Sequence, residues 1–222
     1  MNNSTLIDTH IHERTFSPDS DLALEDIVSK AIEMGLGGIC ITDHESNGLM
    51  ETARACSKSS GFPIIVGAEI LTHEGDLIVF GVDRLPPEIM HAQEMIDLIL
   101  KAGGVTISAH PFRQNNRSMG NFIKQVKKLS GLEAFNGSTA PHNNLYAYAL
   151  SAELAIPAFG ASDAHEIEAV GKYATVFPGR IRDEADFIEA VKAGNTRPAV
   201  YTKTGYEPID IYDQLHKGET LQ

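Results

Sequence analysis

His10 and His12 flank a single residue in the run Ile7-Asp8-Thr9-His10-Ile11-His12. On a β-strand, side chains two residues apart share a face, so both imidazoles can address one cation. The chain then offers Thr42-Asp43-His44, Gly67-Ala68-Glu69, Ala109-His110-Pro111 and Ser162-Asp163-Ala164-His165. A set of imidazoles and carboxylates suits Zn, Mn or Fe, and does not single out one of them. Two cations a few Å apart need bridging anions to offset their repulsion, and Glu69 and Asp163 are the natural candidates. Water held by such a pair loses a proton near neutral pH and becomes a nucleophile. The pattern is that of a metal-dependent hydrolase.

The elements that must carry these groups alternate along the chain. Leu24, Ile27, Val28, Ala31 and Ile32 recur at helical spacing between Leu24 and Met34, and Gly35 ends the run. Gly38 to Thr42 reads as a buried strand, Gly48 to Ser59 as a helix, and Pro63 to Gly67 as the next strand. Leu77 to Gly81 follows closely enough to suggest an extra hairpin strand. A helix is expected from Pro87 to Lys101, a strand over Val105 to Ala109, a helix around Asn121 to Leu129 and a strand over Gly131 to Phe135. Beyond these come a helix from about Asn143 to Leu154, strands over Ile156 to Gly160 and Ala174 to Phe177, and a last helix from Glu184 to Ala193. Repeated βα units favour a parallel sheet. The ligand candidates each fall at the C-terminal end of an expected strand, where α/β barrels gather their chemistry. An open sheet would spread them along an edge. The expected fold is therefore an α/β barrel, distorted rather than ideal, in one domain spanning residues 1–222, with the metal site at the C-terminal ends of the strands.

Composition agrees with a soluble globular domain, at 42% hydrophobic and 22% charged residues. With 18 basic against 30 acidic residues the formal net charge is −12, which disfavours an extended nucleic-acid surface or an anionic membrane as partner. Two cysteines, Cys40 and Cys56, do not make a disulfide framework. The opening residues lack a basic region followed by a long apolar stretch, and no run of about 18 apolar residues occurs, so the expected location is the cytoplasm. Tyr206 to Gln222 reads as a tail or docking segment, and no oligomeric state is indicated.

Taken in order, Asp8-Thr9-His10-Ile11-His12, Ser17-Pro18-Asp19-Ser20, Ile41-Thr42-Asp43-His44, Gly67-Ala68-Glu69, His110-Pro111 and Ser162-Asp163-Ala164-His165 resemble the PHP family, named for its polymerase and histidinol phosphatase members. The resemblance implies a distorted (β/α)7 barrel, two or three divalent metals at one mouth, and phosphoester cleavage. Carried over by position, it implies that His10, His12, Glu69 and Asp163 surround one metal, that Glu69 and His110 reach a second, and that Asp19, His44 and His165 serve a third. The step from His12 to Asp19 is one residue longer than in common relatives, and a turn or helix-capping role is the alternative for Asp19. A further histidine usual between the Glu motif and His-Pro has no counterpart here. His73 and His91 are the only histidines in that interval, and with His142 and His216 they read as structural or solvated.

Asp163 and His165 are the candidates for moving protons, although ligation would occupy the same lone pairs. Asp8 and Asp43 sit beside ligand histidines, where a carboxylate can fix an imidazole tautomer. Arg113 and Arg117, just beyond His110-Pro111, could grip a substrate phosphate by paired hydrogen bonds, or be solvated loop residues. The leading expectation is a phosphoesterase acting on a small phosphorylated metabolite or nucleotide. Carbon–nitrogen hydrolysis on an amidohydrolase-like barrel is the second reading, disfavoured because Glu69 stands where such barrels carry a lysine. A non-catalytic, metal-stabilised module is the third.

Overall fold

A computed structural model describes residues 4–210. Its strands form two sheets. In chain order the elements are β1 (Ser4–Ile11), α1 (Leu24–Glu33), β2 (Gly38–Ile41), α2 (Met50–Ser60), β3 (Ile64–Val66), β4 (Ala68–Leu71), β5 (Asp76–Phe80), α3 (Ala92–Lys101), β6 (Val105–Ser108), β7 (Gly131–Asn136), α4 (Pro141–Leu154), β8 (Ala158–Ala161), β9 (Tyr173–Pro178), α5 (Glu184–Ala193), β10 (Arg197–Thr202) and β11 (Gly205–Pro208). The first sheet has the order β11-β10-β9-β1-β2-β3 and the second β4-β5-β6-β7-β8.

The hydrogen-bonded strands do not close into the single (β/α)7 ring expected from the sequence. β4, β5 and β6 are successively antiparallel, and β9 lies antiparallel to β1 and β10; β4 and β5 are joined by a short return, while α3 lies between β5 and β6 and α5 between β9 and β10. The chain passes from one sheet to the other at Gly67, where a Cβ would lie 2.5 Å from the Val79 carbonyl oxygen. Two isolated parallel bridges, Ile11 with Ala164 and His44 with Glu69, tie the sheets together at the strand ends that carry the site.

Three apolar clusters hold this arrangement. Leu24, Ile27, Val28 and Ala31 of α1 pack with Ile11, Ile39 and Ile41, while Met95, Ile96 and Ile99 of α3 pack with Leu77, Val79 and Leu132. The third cluster, with Ile7, Cys40, Ile65, Ile78, Phe80, Ile107, Phe159, Phe177 and Phe187, forms the floor beneath the polar mouth. Cys40 is a fully buried member of that floor, and neither cysteine is disulfide-bonded.

Register breaks decide which face the site residues occupy. Against β2, β1 carries one extra residue between Asp8 and Ile11, since Asp8 pairs with Ile39 and Ile11 with Ile41. Simple alternation from Ile7 would turn His10 away from the floor. The bulge reverses the phase, so Ile7 lies in the floor cluster, Ile11 packs with α1, and His10 and His12 face the mouth. β7 has the same device between Glu133 and Phe135, which brings Glu133 and Asn136 to one side.

Several element boundaries differ from expectation. The helix expected from Pro87 begins at Ala92, because Glu94 accepts the His91 N–H at 3.2 Å and Glu74 accepts the Ala92 N–H at 2.7 Å, capping the helix there. The segment around Asn121 is a 3-10 turn over Gly120–Gln125. The start of the expected tail is β11, paired with β10 and tied by the Tyr206 hydroxyl to the Gly171 carbonyl at 2.6 Å. The rest of that segment, His216 included, lies outside the described residues.

Candidate metal centre

The end of β1 delivers His10 and His12, both fully buried, with their Nε2 atoms 2.9 Å apart. Glu69 Oε2, from β4, lies 3.7 Å from His10 Nε2 and 3.6 Å from His12 Nε2. Asp163 Oδ1, just past β8, lies 3.6 and 3.4 Å from the same two nitrogens. Four donors held tetrahedrally at metal–ligand distances near 2.1 Å would stand about 3.4 Å apart. The four histidine–carboxylate separations, 3.4 to 3.7 Å, match that spacing, while the two imidazole nitrogens stand closer, at 2.9 Å.

Partner hydrogen bonds aim these nitrogens. His10 Nδ1 lies 2.8 Å from Glu133 Oε1, so it carries the proton and Nε2 faces the centre. For His12 the orienting group is Ser17, whose hydroxyl donates to Asp43 Oδ1 at 2.9 Å and accepts from His12 Nδ1 at 3.1 Å. Asp43 thus works through Ser17 rather than on an imidazole directly. Asp8 does not touch an imidazole either. Its carboxylate accepts the Ser162 and Gly171 N–H groups at 2.9 Å each, pinning the segments before and after the Asp163 turn to β1.

Glu133 went unsuspected in the sequence, although a carboxylate inside the apolar strand Gly131-Leu132-Glu133-Ala134-Phe135 was a usable signal, since such groups are buried only when paired. Fully buried, it also accepts the His110 N–H at 2.8 Å and the Asn136 amide at 3.0 Å. Asn136 donates in turn to Asp163 Oδ2 at 3.1 Å. β7 therefore supplies no donor to the centre but orients three: His10, His110 and Asp163.

Two of the site residues hold left-handed backbone conformations, His110 at φ 26° and Asp163 at φ 52°. Neither is glycine, and such conformations persist where surrounding bonds fix them. The Asp163 N–H donates to the His10 carbonyl at 2.8 Å, which fixes that turn against β1.

Beside the first group of donors, His110 Nε2 is 2.8 Å from Glu69 Oε1 and 3.7 Å from Asp76 Oδ2. Asp76, at the start of β5, was also missed by sequence reasoning. It is fully buried, and Arg117 Nε donates to its Oδ2 at 2.7 Å. A third group lies nearer solvent. His44 Nδ1 is 2.9 Å from Glu69 Oε2, and Asp19 Oδ2 is 3.1 Å from His44 Nε2 and 3.4 Å from His165 Nε2. The structure thus brings His10, His12, Asp19, His44, Glu69, His110, Asp163 and His165 to one mouth. Arg113 reaches it too: its guanidinium donates to Asp163 Oδ2 and, at 2.7 Å, to Asn136 Oδ1. His73 and His91 lie elsewhere, their ring centres 4.7 Å apart and tilted by 51°, with His91 Nδ1 2.6 Å from Glu74.

Protonation follows the same geometry. Burial opposes charge on His10, but Glu133, Asp163 and Glu69 overcome it and hold its pKa well above the ordinary imidazole value. Burial pushes His12 down to about 4. The facing Nε2 atoms, 2.9 Å apart, are close enough for one hydrogen bond between them. Burial alone would raise the Asp163 and Glu69 carboxyls, yet His10 and the other neighbouring imidazoles, with Arg113 beside Asp163, keep both far below the usual carboxylate range. Burial, then the charge of Glu69, pushes Asp76 up to about 7. The centre opens on a cleft of about 520 Å3 whose walls include Asp19, His44, Glu69, His110, Arg113, Arg117, Asp163 and His165.

Comparison with known proteins gives this geometry a lineage. Over 139 residues the chain is 30% identical to an uncharacterized protein of Methanocaldococcus jannaschii, a match covering 58% of this chain and 80% of that one. A two-domain protein of Bacteroides vulgatus containing a predicted PHP-like metal-dependent phosphoesterase superposes with a TM-score of 0.71 at 20% identity, covering 96% of this chain and 68% of the other. The lesion-specific endonuclease EndoQ of Pyrococcus furiosus superposes with a TM-score of 0.68 at 15% identity, over 97% of this chain and 66% of that one. At such identities the likeness is one of fold. The PHP domain profile matches residues 8–155, and the profile of the PHP-associated region matches 141–196. Two thirds of the chain, from the first aspartate of β1 to the end of α4, matches the domain profile, and the chain belongs to the PHP domain family.

Proposed function

We propose that this chain is a single-domain, metal-dependent hydrolase that cleaves phosphoester bonds of a small phosphorylated metabolite or nucleotide, working in the cytoplasm. The observation that carries the reading is the convergence of His10 Nε2, His12 Nε2, Glu69 Oε2 and Asp163 Oδ1 at 3.4–3.7 Å across the histidine–carboxylate pairs, directly beside two arginines. Two or three divalent cations, of Zn, Mn or Fe, would be held by His10, His12, Glu69 and Asp163, by Glu69 and His110, and by Asp19, His44 and His165. Bound there, they would polarise a water molecule and offset phosphate charge.

The chain's own residues do the rest. Glu69 faces both the His10–His12 pair and His110, so one carboxylate can bridge neighbouring positions. Arg113 stands over Asp163 with its side chain 22% exposed, and Arg117 over Asp76 at 36% exposed, so each can turn a guanidinium edge to phosphoryl oxygens entering the cleft. His165, a quarter exposed and 3.6 Å from Asp163 Oδ1, is placed to exchange protons with solvent at the rim. Ile78 and Phe159, the cross-strand partners of Glu69 and Glu133, pack with Ile107 in a buried apolar cluster.

Steady-state hydrolysis of a generic aryl phosphate by protein loaded with Mn, Zn or Fe tests the reading, with a screen of phosphorylated metabolites to follow. Turnover abolished in His12→Ala supports it. Stoichiometric metal without turnover on any phosphate ester, together with a large loss of melting temperature on chelation, would favour the non-catalytic module instead.

A further inference from the structure

We propose that the Arg117 guanidinium and the second cation are alternative occupants of one carboxylate, Asp76, so that filling the second position expels Arg117 toward the cleft. The inference rests on the reading of this mouth as a metal centre, and goes beyond it by naming a donor and a built-in competitor.

Asp76, Glu69 and His110 are all buried, and their donor atoms lie within 4.8 Å of one another. That is a three-donor set made of two carboxylates and one imidazole. Only one of the Asp76 oxygens is satisfied: Oδ2 accepts from Arg117 Nε at 2.7 Å, while Oδ1 is buried without a hydrogen-bond partner. Arg117 fares no better, since its Nη2 is buried without a hydrogen-bond partner. A buried carboxylate with one free oxygen beside a second carboxylate is a site whose negative charge one guanidinium does not offset. A divalent cation supplies the missing charge and takes oxygen ligands readily. The Asp76 oxygen that faces His110 Nε2, at 3.7 Å, is Oδ2, the same oxygen that Arg117 Nε occupies, so a cation taking that oxygen competes with the guanidinium for it.

The chain is built for the exchange. The backbone N–H of Asp76 donates to the Arg117 carbonyl at 2.8 Å, so the loop carrying Arg117 stays anchored while its side chain turns. That anchorage is close: a Cβ on Gly75 would lie 2.4 Å from the Met119 nitrogen. A second acceptor already waits at the rim, where Glu45 Oε1 lies 3.9 Å from Arg117 Nη2 and is itself fixed by the Leu71 N–H at 2.7 Å. Expelled from Asp76, the guanidinium faces Glu45 or an anion in the cleft. By linkage, an anion that holds Arg117 away from Asp76 then favours the second cation, and the cation favours the anion.

Equilibrium titration of the metal-free full-length chain with Mn2+, counting bound ions and their affinity classes, tests this without relying on turnover. The wild type is expected to show a tight and a weaker class. Arg117→Ala should tighten the weaker class on the order of tenfold, since a charge-assisted hydrogen bond no longer competes. Arg117→Lys should fall between, and Asp76→Asn should lose the weaker class while keeping the tight one, which also reports that the variant is folded. Unchanged or weakened second-class binding in Arg117→Ala, or both classes retained in Asp76→Asn, overturns the proposal and leaves the metal centre standing. No Mn2+ binding by the wild type overturns both.

Discussion

Replacing Glu133 with glutamine tests whether a residue that touches no cation governs the centre. One carboxylate oxygen faces the protonated His10 Nδ1 at 2.8 Å, and the other takes the His110 N–H at 2.8 Å and the Asn136 amide at 3.0 Å. Every one of these neighbours is a donor, and a glutamine has only one oxygen to offer. If that oxygen stays with His110 and Asn136, the new NH2 faces His10 Nδ1 and forces the other tautomer, with a proton on Nε2 where the cation must bind. If it turns to His10, two buried donors lose their acceptor. Each unsatisfied donor costs about 1–3 kcal/mol, whereas loss of the tautomer lock weakens metal binding about 10–100-fold. Glu133→Gln should therefore show either a first-class metal affinity down by that factor, by competition against a chelating dye, or a metal-free unfolding free energy down by about 2 kcal/mol in urea. Wild-type values for both would refute the reasoning, because no placement of a glutamine satisfies three donors.

Other outcomes follow from the same geometry. His10 holds its proton well above the ordinary imidazole value, and a cation must displace it, so first-class affinity should rise with pH by about tenfold per unit until that proton is gone; calorimetry in buffers of different ionisation enthalpy should find about one proton released. Ser17→Ala removes the acceptor of His12 Nδ1 and the donor to Asp43, and should weaken metal binding about tenfold, with little change if His12 is oriented by its strand alone. Arg113→Ala should raise KM for a phosphate ester more than it lowers kcat if the guanidinium grips ground-state phosphate, and a fall confined to kcat would place its role elsewhere. Asp183→Ala removes the side chain that accepts the Asp186 N–H at 2.9 Å at the start of α5, and should cost about 1 kcal/mol of unfolding free energy without touching metal affinity.

The site was more legible in the sequence than the fold. Ligand-type residues at strand ends are fixed by chemistry and order, so His10, His12, His44, Glu69, His110, Asp163 and His165 could be gathered before any geometry was known. Asp19 needed the family resemblance, since nothing in its own surroundings separates a ligand from a helix cap. What the residues could not reveal depends on register. A one-residue bulge in β1 and another in β7 decide which face His10 and Glu133 occupy, and alternation alone gives the opposite answer for His10 relative to Ile7. Asp76 was hidden because it opens β5 beside a turn, where an aspartate is ordinary, and only the pairing of β5 with β4 sets it near Glu69. The strand pairing gives two sheets where the alternation of strands and helices points to one closed ring, because alternation does not distinguish a parallel crossover from a helical connection that returns antiparallel, as α3 does between β5 and β6. Likewise, β10 carries Pro198 within its run and goes unassigned in the sequence, and β11, opened by Gly205, falls at the start of the segment that reads as a tail.

Anomalous diffraction from crystals of the chain equilibrated with Mn2+ addresses the central claim most directly. A peak about 2.0–2.3 Å from His10 Nε2, His12 Nε2, Glu69 Oε2 and Asp163 Oδ1, the range of protein–metal bonds to nitrogen and oxygen, is the expected result. A map with no peak between these four atoms at saturating Mn2+ would contradict it.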